Sequence, residues 1–226
     1  MRVAFGVLTF NALDFGRVDL LTETLSSGAT AFSTADRFVL DNGSSDGTQD
    51  VLREAAVGYR VVRNHGSVRS PGAGRNVLLS HLDLDAYDLV VVSDDDMRWH
   101  PDAQAKLVAF FRDAPEDVAL CSAYLEPDWA HNTVRGVIDC GSVRGLVRDN
   151  APACAWAFRP SFWRAFGPLL EEPKCEDTDA CKRVLKAGQR MVQFDLAEHL
   201  GWGNSSLGNA SILSGKPLDK AAWGLA

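Results

Sequence analysis

The sequence predicts an α/β domain on a mostly parallel sheet with helices on both faces. Two observations carry this. Short, wholly apolar runs alternate with helical patterns along the first half of the chain, and those runs lack the in-out alternation of a strand with one wet face. The chain has 226 residues, 46% hydrophobic and 23% charged, which is ordinary globular composition and ample for one sizeable core.

The elements follow in order. Residues 3–9 read as a strand and 18–25 as a helix. Residues 38–40 form a compact buried strand, ended by Asp41-Asn42-Gly43. Residues 48–56 are helical, and 59–62 return to strand. After a glycine-rich loop, 76–82 are helical. Residues 89–92 are all aliphatic and mostly β-branched, which predicts a strand buried on both faces. An amphipathic helix over 103–111 and a strand over 118–123 continue the alternation. The second half is less regular: 126–152 read as a long loop or a pair of short strands, and 153–158 as a strand. A short helix over 161–166 has Ser161 as its N-cap and Gly167-Pro168 as its stop. A helix over 177–187 ends at Gly188, and 191–194 form the last strand.

Composition narrows the function. The formal net charge is -7, with no block of Lys or Arg, which argues against wrapping nucleic acid. The apolar N-terminus is too short for a secretory leader and no cleavage site follows it, so a first strand is the better reading. No stretch approaches the roughly 18 apolar residues of a membrane span. A cytoplasmic location is expected, with peripheral membrane association left open. Five widely spaced cysteines without a Cys-x-x-Cys pair predict reduced, mostly buried thiols. Asn42-Gly43-Ser44 and two similar triplets at Asn204 and Asn209 match the N-glycosylation pattern but are read as accidental.

The informative feature is where polar residues fall. Thr9 and Asn11 close the first strand, Asp41 the second, and Asp94, Asp95 and Asp96 the strand over 89–92. In a parallel sheet those ends share one edge, and open α/β sheets bind ligands in the crevice beyond it. Three adjacent aspartates repel unless water screens them or a cation neutralises them. Asp94 and Asp96 share a face if the extended backbone continues. Hard oxygen ligands suit Mg2+ or Mn2+ bridging to phosphate. A solvated acidic turn is the plainer alternative.

These segments resemble the motifs of family-2 glycosyltransferases, which have the GT-A fold. Asp41-Asn42-Gly43-Ser44-Ser45-Asp46-Gly47-Thr48 resembles their D-N-G-S-x-D-G-T signature, and Ser93-Asp94-Asp95-Asp96-Met97 their D-x-D motif. Gly72-Ala73-Gly74-Arg75-Asn76 resembles their A-R-N segment. Glu176-Asp177-Thr178-Asp179, followed by Arg183 and Ala187-Gly188, resembles their E-D-x-D-x-x-x-R-x-x-x-A-G segment. The four occur in the family's order over about residues 3–200. The resemblance implies one GT-A-like domain over 1–226, with a nucleotide-sugar-binding half near 1–100, an acceptor and catalytic half near 101–200, and a tail or lid over 201–226. It further implies inverting transfer of a sugar from a nucleoside-diphosphate donor, UDP by default, to an unidentified hydroxyl acceptor, with Mn2+ or Mg2+.

By the same resemblance, Thr9, Asn11 and Asp41 hold the base and ribose, and Arg75 lies near the nucleotide. Of the D-x-D carboxylates one touches the ribose and another the metal. Asp96 is taken for the metal, which leaves Asp94 and Asp95 to the nucleotide sugar. Acids at a helix start are favoured by its macrodipole, which accounts for the position of Glu176 and Asp177 but leaves a second use open. The resemblance gives the catalytic base to Asp177, with Glu176 beside it as the other candidate. His199 follows the last strand where related enzymes complete the metal site, and Trp156 falls on the acceptor side, where it can stack on a sugar or serve the core. Asp179 and Arg183, spaced i,i+4, are expected to pair structurally, and Asp46-Gly47 to form a turn before a helix.

Gly72-x-Gly74 is not read as a dinucleotide fingerprint, because Val77 stands where its third glycine belongs. The rival readings are a sugar nucleotidyltransferase and a non-catalytic nucleotide-sugar-binding protein on the same fold. The first would carry a glycine-rich basic loop where this chain has Asn11-Ala12-Leu13-Asp14. The intact acidic motifs argue against the second.

Overall fold

The structure is a computed structural model, and it describes residues 1–123, 134–172 and 176–200. Cys175 and the expected tail over 201–226, with Asn204 and Asn209, lie outside the described residues.

The strands are β1 (Val3–Thr9), β2 (Asp36–Asp41), β3 (Arg60–Arg63), β4 (Leu89–Asp94), β5 (Met97–Trp99), β6 (Val118–Ala123), β7 (Val134–Cys140), β8 (Val143–Arg148), β9 (Ala155–Phe158), β10 (Arg190–Phe194) and β11 (Ala197–His199). The helices are α1 (Val18–Ala31), α2 (Thr48–Ala55), α3 (Pro71–Ser80), α4 (Ala103–Asp113), α5 (Pro160–Phe166) and α6 (Glu176–Lys186). Nine strands form one sheet in the order β3-β2-β1-β4-β9-β6-β10-β8-β7. Its first four members are mutually parallel, and within the described sheet only β9 and β8 run against the rest. β5 and β11 make a separate two-stranded ribbon.

Alternation along the strands builds two cores. Val3, Phe5 and Val7 of β1 face the side covered by α1, α2 and α4, with Leu21, Leu25, Leu52, Leu107 and Phe110. Ala4 and Leu8 face the side covered by α3, α5 and α6, with Leu78, Leu79, Phe162, Phe166 and Val184. The expected sheet with helices on both faces is thus present. The first core is knit by Phe5 stacked on Phe32 at 4.2 Å, with Trp99 edge-on to both.

Several elements differ from the sequence reading for identifiable reasons. α1 runs to Ala31, past the apolar stretch. Its Thr24 and Ser27 hydroxyls accept the backbone N–H groups of Met97 and Trp99, at 2.9 and 3.1 Å, so this polar stretch of helix docks β5. Residues 134–148, within the stretch expected as a loop or two short strands, form the β7–β8 hairpin. α5 starts at Pro160 with Arg159, not Ser161, as its N-cap. Proline has no N–H to satisfy in a helix's first turn, so it takes the first position.

The largest difference is α3. Its glycines are inside the helix, not in a loop before it. Ser70 caps it by accepting Ala73 N–H at 3.1 Å, and Pro71 opens it. A Cβ on Gly72 would stand 1.9 Å from the Leu170 carbonyl oxygen. On Gly74 it would stand 2.5 Å from Leu8 Cδ1 and 3.0 Å from Asn42 Cγ. The two glycines therefore let α3 press against strand ends and against the chain before α6, which brings Arg75 to the sheet edge.

Gly72→Ala should lower stability by about 1–3 kcal/mol in urea unfolding, because its obstacle is backbone. Gly136→Ala, whose Cβ would meet nothing within 4 Å, serves as control and should be neutral or slightly stabilising. Equal effects at the two positions would refute the close-approach explanation.

Candidate functional site

The parallel register puts Thr9, Asp41 and the Asp94–Asp96 run on one edge. Thr9 pairs with Asp41 across β1–β2, and Leu8 with Asp94 across β1–β4. β4 ends at Asp94 and the chain turns at Asp95 and Asp96, so the extended backbone does not continue and both residues sit in a turn at that edge.

Two loops are tied together beside them. Asn11 has φ 46°, a left-handed conformation that Asn tolerates. Its N–H donates to Ser44 Oγ at 2.9 Å, and its Oδ1 accepts from Ser45 N–H at 3.0 Å. Asp46 accepts from Thr48 N–H and Oγ1 and from Asp14 N–H at 2.7 to 3.0 Å, the expected turn before α2. Asn42 is buried, donates to Arg69 O and accepts from Asn64, so its amide is engaged and is no glycan acceptor. Asp41 accepts from Ser44 N–H through Oδ1 at 2.8 Å. Its Oδ2 is buried, accepts no hydrogen bond and lies 3.7 Å from Arg63 Nε.

The three aspartates have separate surroundings. Asp94 is the most open, with its side chain 34% exposed, and pairs with Arg75. Asp95 is buried; it accepts from Thr9 Oγ1 at 2.5 Å and pairs with Arg17. Asp96 is buried too, with Oδ2 3.3 Å from Arg17 and Oδ1 3.6 Å from His199 Nε2. Burial raises the Asp95 carboxyl to about 6 despite the pull of Arg17. Burial and the charge of Asp94 raise Asp96 as well.

On the other side, Arg75 joins two segments distant in sequence. It is 2% exposed and reaches Asp94, Glu176 Oε1 at 2.9 Å and the Ala153 carbonyl at 3.0 Å. Burial alone would lower its pKa, but Asp94 and Glu176 outweigh that and hold it charged. Glu176 is thereby engaged, and burial pushes its carboxyl up. Asp177 is half-buried and its Oδ1 accepts from Thr178 N–H at 2.6 Å. Asp179 and Arg183 form the expected i,i+4 pair at 2.8 Å.

His199 reaches the site through the β5–β11 ribbon, where it pairs with Met97, and Leu200 N–H donates to the Asp96 carbonyl at 2.8 Å. Burial lowers the His199 pKa, favouring the neutral imidazole that metals prefer. Asp96 Oδ1 is buried and accepts no hydrogen bond. A hard oxygen and an imidazole facing one another fit a divalent ion, which these two residues would hold. Among the described residues no group of three His, Cys, Asp or Glu is assembled to hold a metal unaided.

Several of the expected site residues lie in the interior. Trp156, expected towards the acceptor, is 1% exposed, donates to Ala151 O at 2.7 Å and packs edge-on against Phe162, so it is a core residue with no ring face open to a sugar. Arg75, expected near the nucleotide, is buried at the sheet edge and pairs with Asp94 and Glu176. Thr9 and Asp95 bond each other in the interior. One residue was missed: Arg17, which supplies the cation that the aspartate run demands. Its only signal was an arginine at the start of a helix, a position such side chains seldom favour. Cys121, Cys140, Cys154 and Cys181 are buried free thiols, as expected. Among the described residues no helix is long and apolar enough to cross a membrane.

The family model for glycosyl transferase family 2 matches residues 7–137, more than half of the chain. No curated protein matches it in sequence. Among solved structures, the mannosyltransferase PcManGT from Pyrobaculum calidifontis, in complex with GDP-Man and Mn2+, superposes with TM-score 0.66 at 18% identity over 88% of this chain and 56% of that one. TarS of S. aureus superposes with TM-score 0.65 at 15% identity, over 99% and 41%. Its 1–349 fragment with UDP-GlcNAc gives TM-score 0.65 at 14% identity, over 88% and 58%. The chain thus spans roughly half the length of these proteins, and at such identities the likeness is one of fold.

Arg75→Met should destabilise the protein by about 3 kcal/mol in chemical denaturation, since it strands Glu176 and part-buried Asp94 without their cation. Asp179→Ala, which removes a half-exposed pair, should cost about 0.5 kcal/mol or less. A small loss in Arg75→Met would show that the carboxylates do not need it.

Proposed function

Since the chain belongs to glycosyl transferase family 2, we propose that it transfers a sugar from a nucleoside-diphosphate donor to a hydroxyl acceptor, with inversion and with a divalent ion, Mn2+ or Mg2+. The observation that carries this is the convergence on one sheet edge of Asp41, Asp94 and Asp96 from strand ends and His199 from β11, with Asp177 of α6 close enough for its charge to act on Arg75. The relatives in complex with GDP-Man and UDP-GlcNAc support the donor class and leave both uridine and guanosine open.

The chain's residues divide the work as follows. Asp41, through its unbonded Oδ2, and Asn11, in the loop beside it, take the base and ribose. Asp94, the most open of the three aspartates, faces the ribose side. Asp96 and His199 hold the divalent ion, which when bound neutralises the departing diphosphate. Thr9, Asp95 and Arg75 position these groups from beneath. Asp177 removes the acceptor hydroxyl proton as that oxygen attacks the anomeric carbon. Glu176 is less suited to this, because Arg75 already holds its carboxylate at 2.9 Å. Inversion follows from this single-displacement scheme with one base. The bond to the nucleoside diphosphate breaks as the new glycosidic bond forms.

Asp177→Asn should reduce turnover on the order of 100-fold or more, with donor affinity little changed. Glu176→Gln should lower thermal stability more than Asp177→Asn does, because it weakens a buried pair with Arg75. Asp179→Asn should alter neither turnover nor donor affinity. Turnover is read as release of nucleoside diphosphate; release of pyrophosphate would indicate a nucleotidyltransferase instead. Near-normal turnover in Asp177→Asn alongside its loss in Glu176→Gln would move the base to the neighbouring residue.

A further inference from the structure

Arg17 stands where local preference disfavours it. It is the N-cap of α1, a position that selects Ser, Thr, Asp or Asn, and it makes no side-chain cap there. A cation at a helix N-terminus also opposes the macrodipole. The backbone fixes it in place all the same. Its N–H donates to the Ala12 carbonyl at 2.7 Å, and its carbonyl accepts from Leu21 N–H at 2.9 Å. Its side chain turns back from the helix, is 9% exposed, and pairs with both Asp95 and Asp96. A residue that breaks two local rules and buries a charge is held for what that charge does.

What it does follows from the carboxylate oxygens. Asp95 has one oxygen on Thr9 and the other on Arg17, so both of its oxygens are already engaged inside the protein. Asp96 turns Oδ2 to Arg17 and Oδ1 towards His199. An ion arriving at Oδ1 therefore shares its one carboxylate with a guanidinium that is already there.

We propose that Arg17 is an internal counter-cation that offsets the charge of Asp95 and Asp96 and keeps the site's hold on a divalent ion weak until a nucleoside diphosphate adds its own negative charge. This rests on the reading of Asp96 and His199 as the place of the divalent ion. The ion then enters and leaves with the nucleotide.

The test is Mn2+ binding without any nucleotide, read from the free-ion electron paramagnetic resonance signal, for the wild type, Arg17→Met and Arg17→Lys. Removing the counter-cation should tighten Mn2+ binding on the order of tenfold, the effect of one unit charge on a divalent ion across a few ångströms of water-like medium. Arg17→Lys, which keeps the charge, should stay near the wild type. A purely structural arginine predicts the opposite, since losing it would scatter the carboxylates and weaken Mn2+ binding. Equal or weaker binding in Arg17→Met overturns the proposal. Should Arg17→Met not fold, Asp95→Asn decides: it leaves Arg17 to Asp96 alone and should weaken Mn2+ binding, and equal or tighter binding overturns the proposal. A parallel titration with UDP and with GDP present separates the two levels of inference. Wild type that binds no Mn2+ even then contradicts the metal reading itself, whereas wild type that binds it only with nucleotide, beside an unchanged Arg17→Met, contradicts the Arg17 role alone.

Discussion

Like charges cannot be buried side by side without a counter-charge, and this constraint organises the edge of the sheet. Asp94, Asp95 and Asp96 leave β4 in succession, with Glu176 close by. Two arginines from opposite sides answer them: Arg17, from the start of α1, takes Asp95 and Asp96, and Arg75, from α3, takes Asp94 and Glu176. Each arginine is nearly buried, so each pair is also a fixed geometric link. The left-hand link ties α1 to the strand end. The right-hand link ties α3 and α6, which lie a hundred residues apart in the chain, to the same strand. The fold therefore closes around its own charge cluster, and the groups left facing outward are the ones with chemistry still to do.

The scaffold serves this arrangement in small details. Gly72 and Gly74 let α3 come close enough for Arg75 to pass beneath the sheet edge. The hydroxyls of Thr24 and Ser27 receive the backbone of β5, and β5 in turn carries β11 and His199 to Asp96. Asn42 anchors the loop over 64–70 beside Asp41, whose buried Oδ2 accepts no hydrogen bond. A polar residue with all its atoms engaged supports the site; Asp41 and Asp96 each keep a buried oxygen that accepts no hydrogen bond.

The first half of the sheet was readable from sequence because β1, the end of β2 and β4 are short runs buried on both faces. The acidic and Asp-Asn-Gly motifs were readable because they fall at strand ends. What was not readable depends on contacts between distant segments. Nothing local in Arg75 says that it faces inward to Glu176, and nothing local in Trp156 says that its indole finds Ala151 O in the core. The helical state of 71–75 was hidden because glycines signal loops by propensity, while here they signal close packing. Arg17 was hidden for the same reason in reverse: as a local choice it is poor, and only the position of Asp95 explains it.

The central claim is that this edge binds a nucleoside diphosphate together with a divalent ion. A thermal-shift panel of UDP, GDP and dTDP, each with Mn2+ and with chelator, tests it most directly, because a ligand bound only by the native state raises the midpoint. At least one diphosphate should raise the midpoint with Mn2+ and leave it unchanged with chelator. No shift with any of the three, or equal shifts with metal and with chelator, would contradict it.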